Sequence, residues 1–436
     1  MKKLIKPLFV LFVVTFVFLL GGGIFVTTST RSKVIALRQE IEQTGDPLFL
    51  VDFQTEPIED EINGYVHLMN TKEDILSFEK FLIDNFNAGS IANFEDPKIL
   101  SKSDTETLAK GIDDHRQLFI QLERLAEFQQ FRAELDFSQG IGMFIPHHPM
   151  CKPIGLALEA KTILDVSQQK GDVALENCIQ GLRIARMLMD QTNVMVFSEA
   201  LGIEYTMVDS AYYVVATTPT SEETRAELAR ELANSNRRSS LLNSLKMERA
   251  CGMQTFKDLR ESNNTSFDGT NALKQIPGFG LKQAYLNDDE TEYILWMNYL
   301  IENPEKTHAE RVEFGKQLTR RLERSDFRFS ITKLLAFPWI PLAEAVDHCS
   351  AKADCLQVIL RFQAEGETAL DDLPKDPYTN QPLVTKTSDQ GWKIYSVGKN
   401  LQDDQGDFTK QGFDFSSPPD IGYGPFQAVS ADEDEN

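Results

Sequence analysis

An uncharged apolar run, PLFVLFVVTFVFLLGGGIFV from Pro7 to Val26, constrains this chain more than any other feature. As a helix rising about 1.5 Å per residue, its roughly 20 residues match the ~30 Å hydrocarbon core of a bilayer. Lys2, Lys3 and Lys6 precede the run, and Arg31, Lys33 and Arg38 follow it. A cleaved signal peptide would have a shorter apolar region closed by small residues in an A-x-A-like pattern, whereas this run continues into GGGIFVTTSTRSK. The expectation is an uncleaved signal anchor: residues 1–6 cytoplasmic, 7–28 spanning the membrane once, and the bulk of the chain exported.

With 436 residues and a 42% hydrophobic fraction, the remainder is long enough to bury a sizeable core and is not of disordered composition. Lys and Arg total 44 against 66 Asp and Glu, a net charge of -22. Such a surface repels nucleic-acid phosphates, so a nucleic-acid partner is not expected. The five cysteines are Cys151, Cys178, Cys251, Cys349 and Cys355. They are odd in number and without a CxxC, which indicates buried small hydrophobes rather than a disulfide framework or zinc knuckle.

Most of the chain carries helical periodicity. In GDVALENCIQGLRIARMLMDQ, the residues Leu175, Cys178, Ile179, Leu182, Ala185 and Met189 form one apolar stripe, with Asp172 placed to cap the start. CKPIGLALEAKTILDVSQQKG precedes it, with Pro153 near a first turn and Gly171 at a C-cap position. A helix then runs to Pro219, and TSEETRAELARELA restarts with Thr220 and Glu223 at capping-box spacing. Similar patterns occur in DILSFEKFLIDNF, between Thr105 and Leu135, in ETEYILWMNYLIEN, in THAERVEFGKQLTRRLERS and from Leu342 to Phe362. The expected fold is mainly α, a helical bundle or array. A membrane-proximal helical segment would occupy residues 29–104 and a helical domain residues 105–366.

The period changes near the C-terminus. PLVTKT and WKIYSV are extended runs rich in β-branched and aromatic residues, separated by the turn SDQG. They predict an antiparallel hairpin within a small β-module at 367–427. FDFSSPPDIGYGPF is expected to cover a face or edge of that sheet, and residues 428–436 to form an acidic disordered tail.

The stretch CLQVILRFQAEGETALDDLPKDPYTNQPLVTKTSDQGWKIYSVGKNLQDD resembles the end of type II secretion major pseudopilins. It is also similar to large uncharacterised membrane-anchored proteins of planctomycete-type bacteria. The latter likeness extends to LRQEIEQTGDPLFLVDF, to IPHHPM and to KGDVALENCIQGLRIARML. It implies a single-pass protein of the bacterial inner (cytoplasmic) membrane with its bulk on the periplasmic side, and it brings no assigned activity. The glycine, aromatic and glutamate pattern of prepilins is missing around Pro7 to Val26, so pilin-type processing and polymerisation are not expected. In pseudopilins the loop after the last such strand holds Ca²⁺. The matching positions here are the carbonyl of Val397, then Asn400 where the family more often has Asp, and Asp403 with Asp404. Ca²⁺ takes six to eight oxygens at about 2.3–2.6 Å, and GKNLQDDQGD offers three carboxylates. The same Asp, Asn and Gly residues equally make a solvated turn that bonds its own backbone.

Other constellations favour structural roles. His147, His148 and Cys151 lie in a loop that starts a helix, Glu305 and His308 lack the second pair a di-iron bundle needs, and Glu344 with His348 near Trp339 reads as a local contact. There is no G-x-S-x-G, G-x-x-x-x-G-K-[ST] or H-E-x-x-H, and Gly278 to Gly280 are too few for a dinucleotide fingerprint. Two functions remain. The first is a membrane-tethered envelope protein acting as an interaction or structural module for envelope partners. The second is an envelope hydrolase or other enzyme with its active site in the helical domain, which a deep pocket lined by convergent carboxylates or histidines would favour.

Overall fold

The computed structural model describes residues 2–86, 100–261, 281–303, 306–323, 329–335, 339–408 and 420–426, with backbone alone for 2–21, 23, 281 and 330. The architecture is mainly helical with one small antiparallel sheet near the C-terminus. The acidic tail at 428–436 lies outside the described residues, as do Gly278 to Gly280 and Glu305.

Three long helices make the centre: α6 (His148–Ser167), α7 (Gly171–Met189) and α8 (Val194–Thr217). Before them come α1 (Lys2–Thr44), α2 (Gly64–Asn70), α3 (Lys72–Asn85), α4 (Lys102–Asp114) and α5 (Arg116–Leu125). After them come α9 (Glu222–Ala233), α10 (Arg237–Glu261), α11 (Leu281–Glu302), α12 (His308–Glu323), α13 (Ser330–Leu335) and α14 (Trp339–Glu365). The whole predicted stripe of α7 is at most 3% exposed, because the helix is clasped by both α6 and α8. At Gly181 a Cβ would sit 2.5 Å from Met207 Cγ, so any larger residue would displace the Met207 side chain from between α7 and α8.

Local signals around these helices are displaced from their expected places. Helix α6 begins at His148 with Pro149 in its first turn, leaving Pro153 inside the helix. Gly171 opens α7 instead of closing α6, and its Cβ would meet Pro219 O at 2.0 Å. Asp172 accepts the backbone N–H of Ser221 at 2.7 Å, so it tethers the start of α9 rather than its own helix. The cap of α9 is Ser221, one residue beyond Thr220, and it accepts Thr224 N.

Helices α1, α10 and α11 form a lateral unit. Thr30 meets Asn287, Arg38 meets Glu290, and Ile41 packs with Ile294, so α1 and α11 run parallel. Arg260 reaches Asn287 and Glu290 while Arg249 reaches Asn298, so α10 runs antiparallel to both. Ile41, Leu48, Met253 and Ile294 make the unit's own small core. Glu290 is fully buried and takes guanidinium groups from Arg38, at 2.5 Å, and from Arg260. Helix α1 is continuous from Lys2, roughly 65 Å at 1.5 Å per residue. Among the described residues, no helix is long and apolar enough to cross a membrane. The side chains of 7–21, most of the expected span, lie outside that set.

The sheet contains β1 (Val384–Ser388), β2 (Gly391–Ser396) and β3 (Ile421–Phe426), in that order and antiparallel throughout. Val384 faces Tyr395 and Ser388 faces Gly391, which gives the predicted hairpin. The segment expected merely to cover the sheet is partly a strand, with Tyr395 facing Gly422. A Cβ on Gly422 would lie 2.1 Å from Ile394 O, so its glycine admits the pairing. One hydrophobic core runs across the expected boundaries at 104/105 and 366/367. Phe78 touches Phe119 and Phe362 touches Phe426, each edge to face, so the three segments share an interior.

Glu290→Gln should destabilise the chain by about 3–5 kcal/mol, because two buried-facing guanidinium groups lose their only shared carboxylate. Denaturant unfolding of the full chain in non-ionic detergent measures this. A loss below about 1 kcal/mol would show that the ion triad does not hold α1 to the body.

Candidate functional site at the junction of helices and sheet

Two buried carboxylates organise the β-module. Asp376, 1% exposed, accepts Tyr378 N and Ser396 Oγ, each at 2.8 Å, and Val397 N at 3.2 Å. Asp420, fully buried, accepts Gly406 N at 2.7 Å and Asp404 N at 3.2 Å. Burial pushes the Asp420 carboxyl up, the two backbone donors oppose that, and the nearby Asp403 and Asp404 add to it. Asp420 is the residue sequence reasoning missed. Its single signal is an acid just before a strand, indistinguishable locally from a turn aspartate.

Of the expected Ca²⁺ positions, the side chains of Asn400, Asp403 and Asp404 are hydrogen-bonded to neighbours. Val397 is held by its amide on Asp376. Asn400 turns its Nδ2 into Asp404 Oδ2 at 2.7 Å, and its Oδ1 accepts Gln402 N at 2.9 Å. Asp403 Oδ1 accepts both Tyr395 OH at 2.9 Å and Gln405 N at 2.8 Å. An amide pointing its N–H₂ at a carboxylate is opposite to the oxygen-inward arrangement a hard cation requires. Among the described residues, no three His, Cys, Asp or Glu side chains converge on a metal position. As arranged, Asn400 and Asp404 bond to each other, and Asp403 serves Tyr395 and Gln405.

A second polar cluster lies where β3 docks on α8 and α14. Asp209 accepts Lys352 Nζ at 2.9 Å and Tyr423 OH at 2.5 Å. The ammonium sits 4.5 Å from the Tyr423 ring centre and 5.8 Å from that of Tyr205, and Tyr212 stacks on Tyr423 at 4.0 Å. Glu159 on α6 is 3% exposed, and burial followed by the charge of Asp209 pushes its carboxyl up to about 8. His348 is pushed down to about 4 by burial and then by Lys352. Along α14 the pattern repeats. Glu344 accepts Lys399 Nζ at 2.8 Å, and Asp347 takes Arg238 at 3.2 Å together with Arg311. Glu204, across the interface on α8, accepts Arg237 Nε at 2.8 Å.

Glu344 and His348 lie one turn apart on α14, the first bonded to Lys399 of the β-module and the second 5.5 Å from the Tyr205 ring. His147 packs between Tyr65 and Phe131 at ring distances of 5.7 and 5.1 Å, while Cys151 Sγ bonds the His147 carbonyl. Burial and the adjacent His148 push His147 down to about 4, which keeps it a neutral core residue at the helix start. His308 lies against Tyr378. All five cysteines are free, and Cys349 and Cys355 share the uninterrupted helix α14.

No family model, curated protein or solved structure matches the chain.

Two outcomes test the site. The folded state favours protonated Glu159, so that contribution is complete below about pH 4.5 and is lost as pH rises through about 8. Glu159→Gln should flatten the fall in stability between about pH 5 and pH 9, and the variant should be relatively more stable at the alkaline end. An unchanged pH slope would remove Glu159 from the cluster's titration. For the loop, millimolar Ca²⁺ added after EDTA treatment should move the thermal midpoint by less than about 1 °C. A rise of several degrees, abolished by Asp403→Asn with Asp404→Asn, would mean that the loop rearranges around the ion.

Proposed function

We propose that the chain is a single-pass, membrane-tethered protein of the bacterial envelope that serves as an interaction scaffold on the periplasmic side. The observation that carries this is the continuity of α1. Its backbone is one helix from Lys2 to Thr44, its N-terminal half contains the apolar run, and its C-terminal half is tied to the body through Glu290. A helix joined in this way sets the attitude of the body to the bilayer, whereas a flexible linker would leave it free to tumble. The resemblance to membrane-anchored bacterial proteins supports the compartment, and the pseudopilin-like ending supports envelope proteins as partners.

Asp209 is taken up by Lys352 and Tyr423, and His348 stands beside the Tyr205 ring. This supports a structural cluster over the open, carboxylate-lined cleft of a hydrolase.

Deleting residues 2–26 should shift the protein from a carbonate-resistant membrane pellet to the soluble fraction, with the helical circular dichroism of the body retained. Release of the intact chain by carbonate would rule out a spanning anchor. Crosslinking in native membranes followed by recovery should then return a defined set of envelope proteins.

A further inference from the structure

A groove of about 370 Å³ lies at the C-terminal end of α5, lined by Ile62, Phe128, Gln129 and Gln130, with Glu61, Glu127 and Arg124 at its rim. Its walls are preformed. Gly64 N bonds Gln130 O at 2.9 Å, and the Asn63 side chain brackets Arg132 by accepting its N–H and donating to its carbonyl. Phe128 is backed by the His67 ring at 5.2 Å, and His67 Nε2 is itself fixed on Gln121 O. The backbone and the Phe128 ring are therefore held in place before a ligand arrives, which lowers the entropic cost of binding.

Its apolar part and its charge point the same way. Ile62 is 46% exposed although the body has a large core, and with the Phe128 ring it offers an apolar floor. Glu59, Asp60 and Glu61 form one exposed turn on one wall, Glu127 stands on the other, and the carbonyl end of α5 adds negative potential. The cations nearby are Arg124 on the rim and Arg132, whose Nη1 bonds Glu56 O at 2.9 Å. Of the lining residues, Glu61 and Glu127 oppose the single guanidinium of Arg124, which leaves the groove negative.

We propose that this groove docks an extended basic segment of a partner protein, inserting one aliphatic side chain over Ile62 and Phe128 between Lys or Arg side chains that meet Glu61 and Glu127. Exposed Gln129 and Gln130 supply amides for the backbone of such a segment, and Arg124 suits one of its carbonyls. The inference rests on the scaffold reading only for the class of partner. Binding is measured in detergent without a bilayer, so its failure and failure of the anchor are separate results.

The test uses the full chain in non-ionic detergent and fluorescein-labelled Arg-Leu-Arg-Leu-Arg-Leu, followed by anisotropy. Glu61→Gln with Glu127→Gln should weaken binding by about tenfold or more, and Ile62→Ser by about fivefold. Glu222→Gln with Glu223→Gln, the same change of charge on exposed positions of α9, should alter it by less than about twofold. The analogue Arg-Ser-Arg-Ser-Arg-Ser should bind more weakly than the leucine peptide. Equal losses in both charge pairs, equal affinity for the two basic peptides, or no binding above that of Glu-Leu-Glu-Leu-Glu-Leu would each overturn the proposal.

Discussion

Placing the Lys352 ammonium inside the protein, 2% exposed, obliges everything around it to answer a charge. A buried cation left alone costs several kcal/mol, so a carboxylate must come to it from another element. Asp209 on α8 does so, and its oxygen also receives the Tyr423 hydroxyl from β3. One carboxylate thereby ties the central helices, the last long helix and the sheet. Burial, and after it the charge of Asp209, disfavours a second anion on the neighbouring α6 and pushes the Glu159 carboxyl up to about 8. The aromatic faces of Tyr205 and Tyr423 complete the solvation that water would otherwise provide.

Glu290 applies the same logic at the other side of the body. A fully buried carboxylate draws in Arg38 from α1 and Arg260 from α10, and the three helices become one unit. Buried ion pairs contribute less net stability than apolar packing of equal volume, but they discriminate sharply against misaligned partners. At both places, charge specifies which helix meets which, while hydrophobic area supplies the driving force.

Helix α7 was legible residue by residue, because a stripe repeating at 3.6 residues has one physical explanation and every member of it is buried. The capping signals were less legible. Asp172 has the chemistry of a cap, yet its acceptor goes to Ser221 on the next helix, and Gly171 is demanded by the carbonyl of Pro219 rather than by a turn. Strand β3 was hidden because IGYGPF has the glycine and proline content of a loop. Its glycines are needed by close strand pairing, which only the neighbouring strand reveals. In the acidic loop the Asn400 amide is set locally by Asp404 and Gln402, whereas the role of Asp420 depends on partners 14 and 16 residues away, Gly406 and Asp404.

By itself, the sequence determined the apolar N-terminal run, the predominance of helix, the hairpin of β1 and β2, and a strongly acidic charge balance. All of these follow from local periodicity, composition and turn chemistry, which act over a few residues. Tertiary structure alone decided that Asp209 meets Lys352 across 143 residues, that Arg38 meets Glu290 across 252, and that Tyr423 reaches Asp209 across 214. An isolated charge carries no mark of its distant partner. The choice is made when burial removes water and leaves each ion only the counter-charge that packing brings within reach.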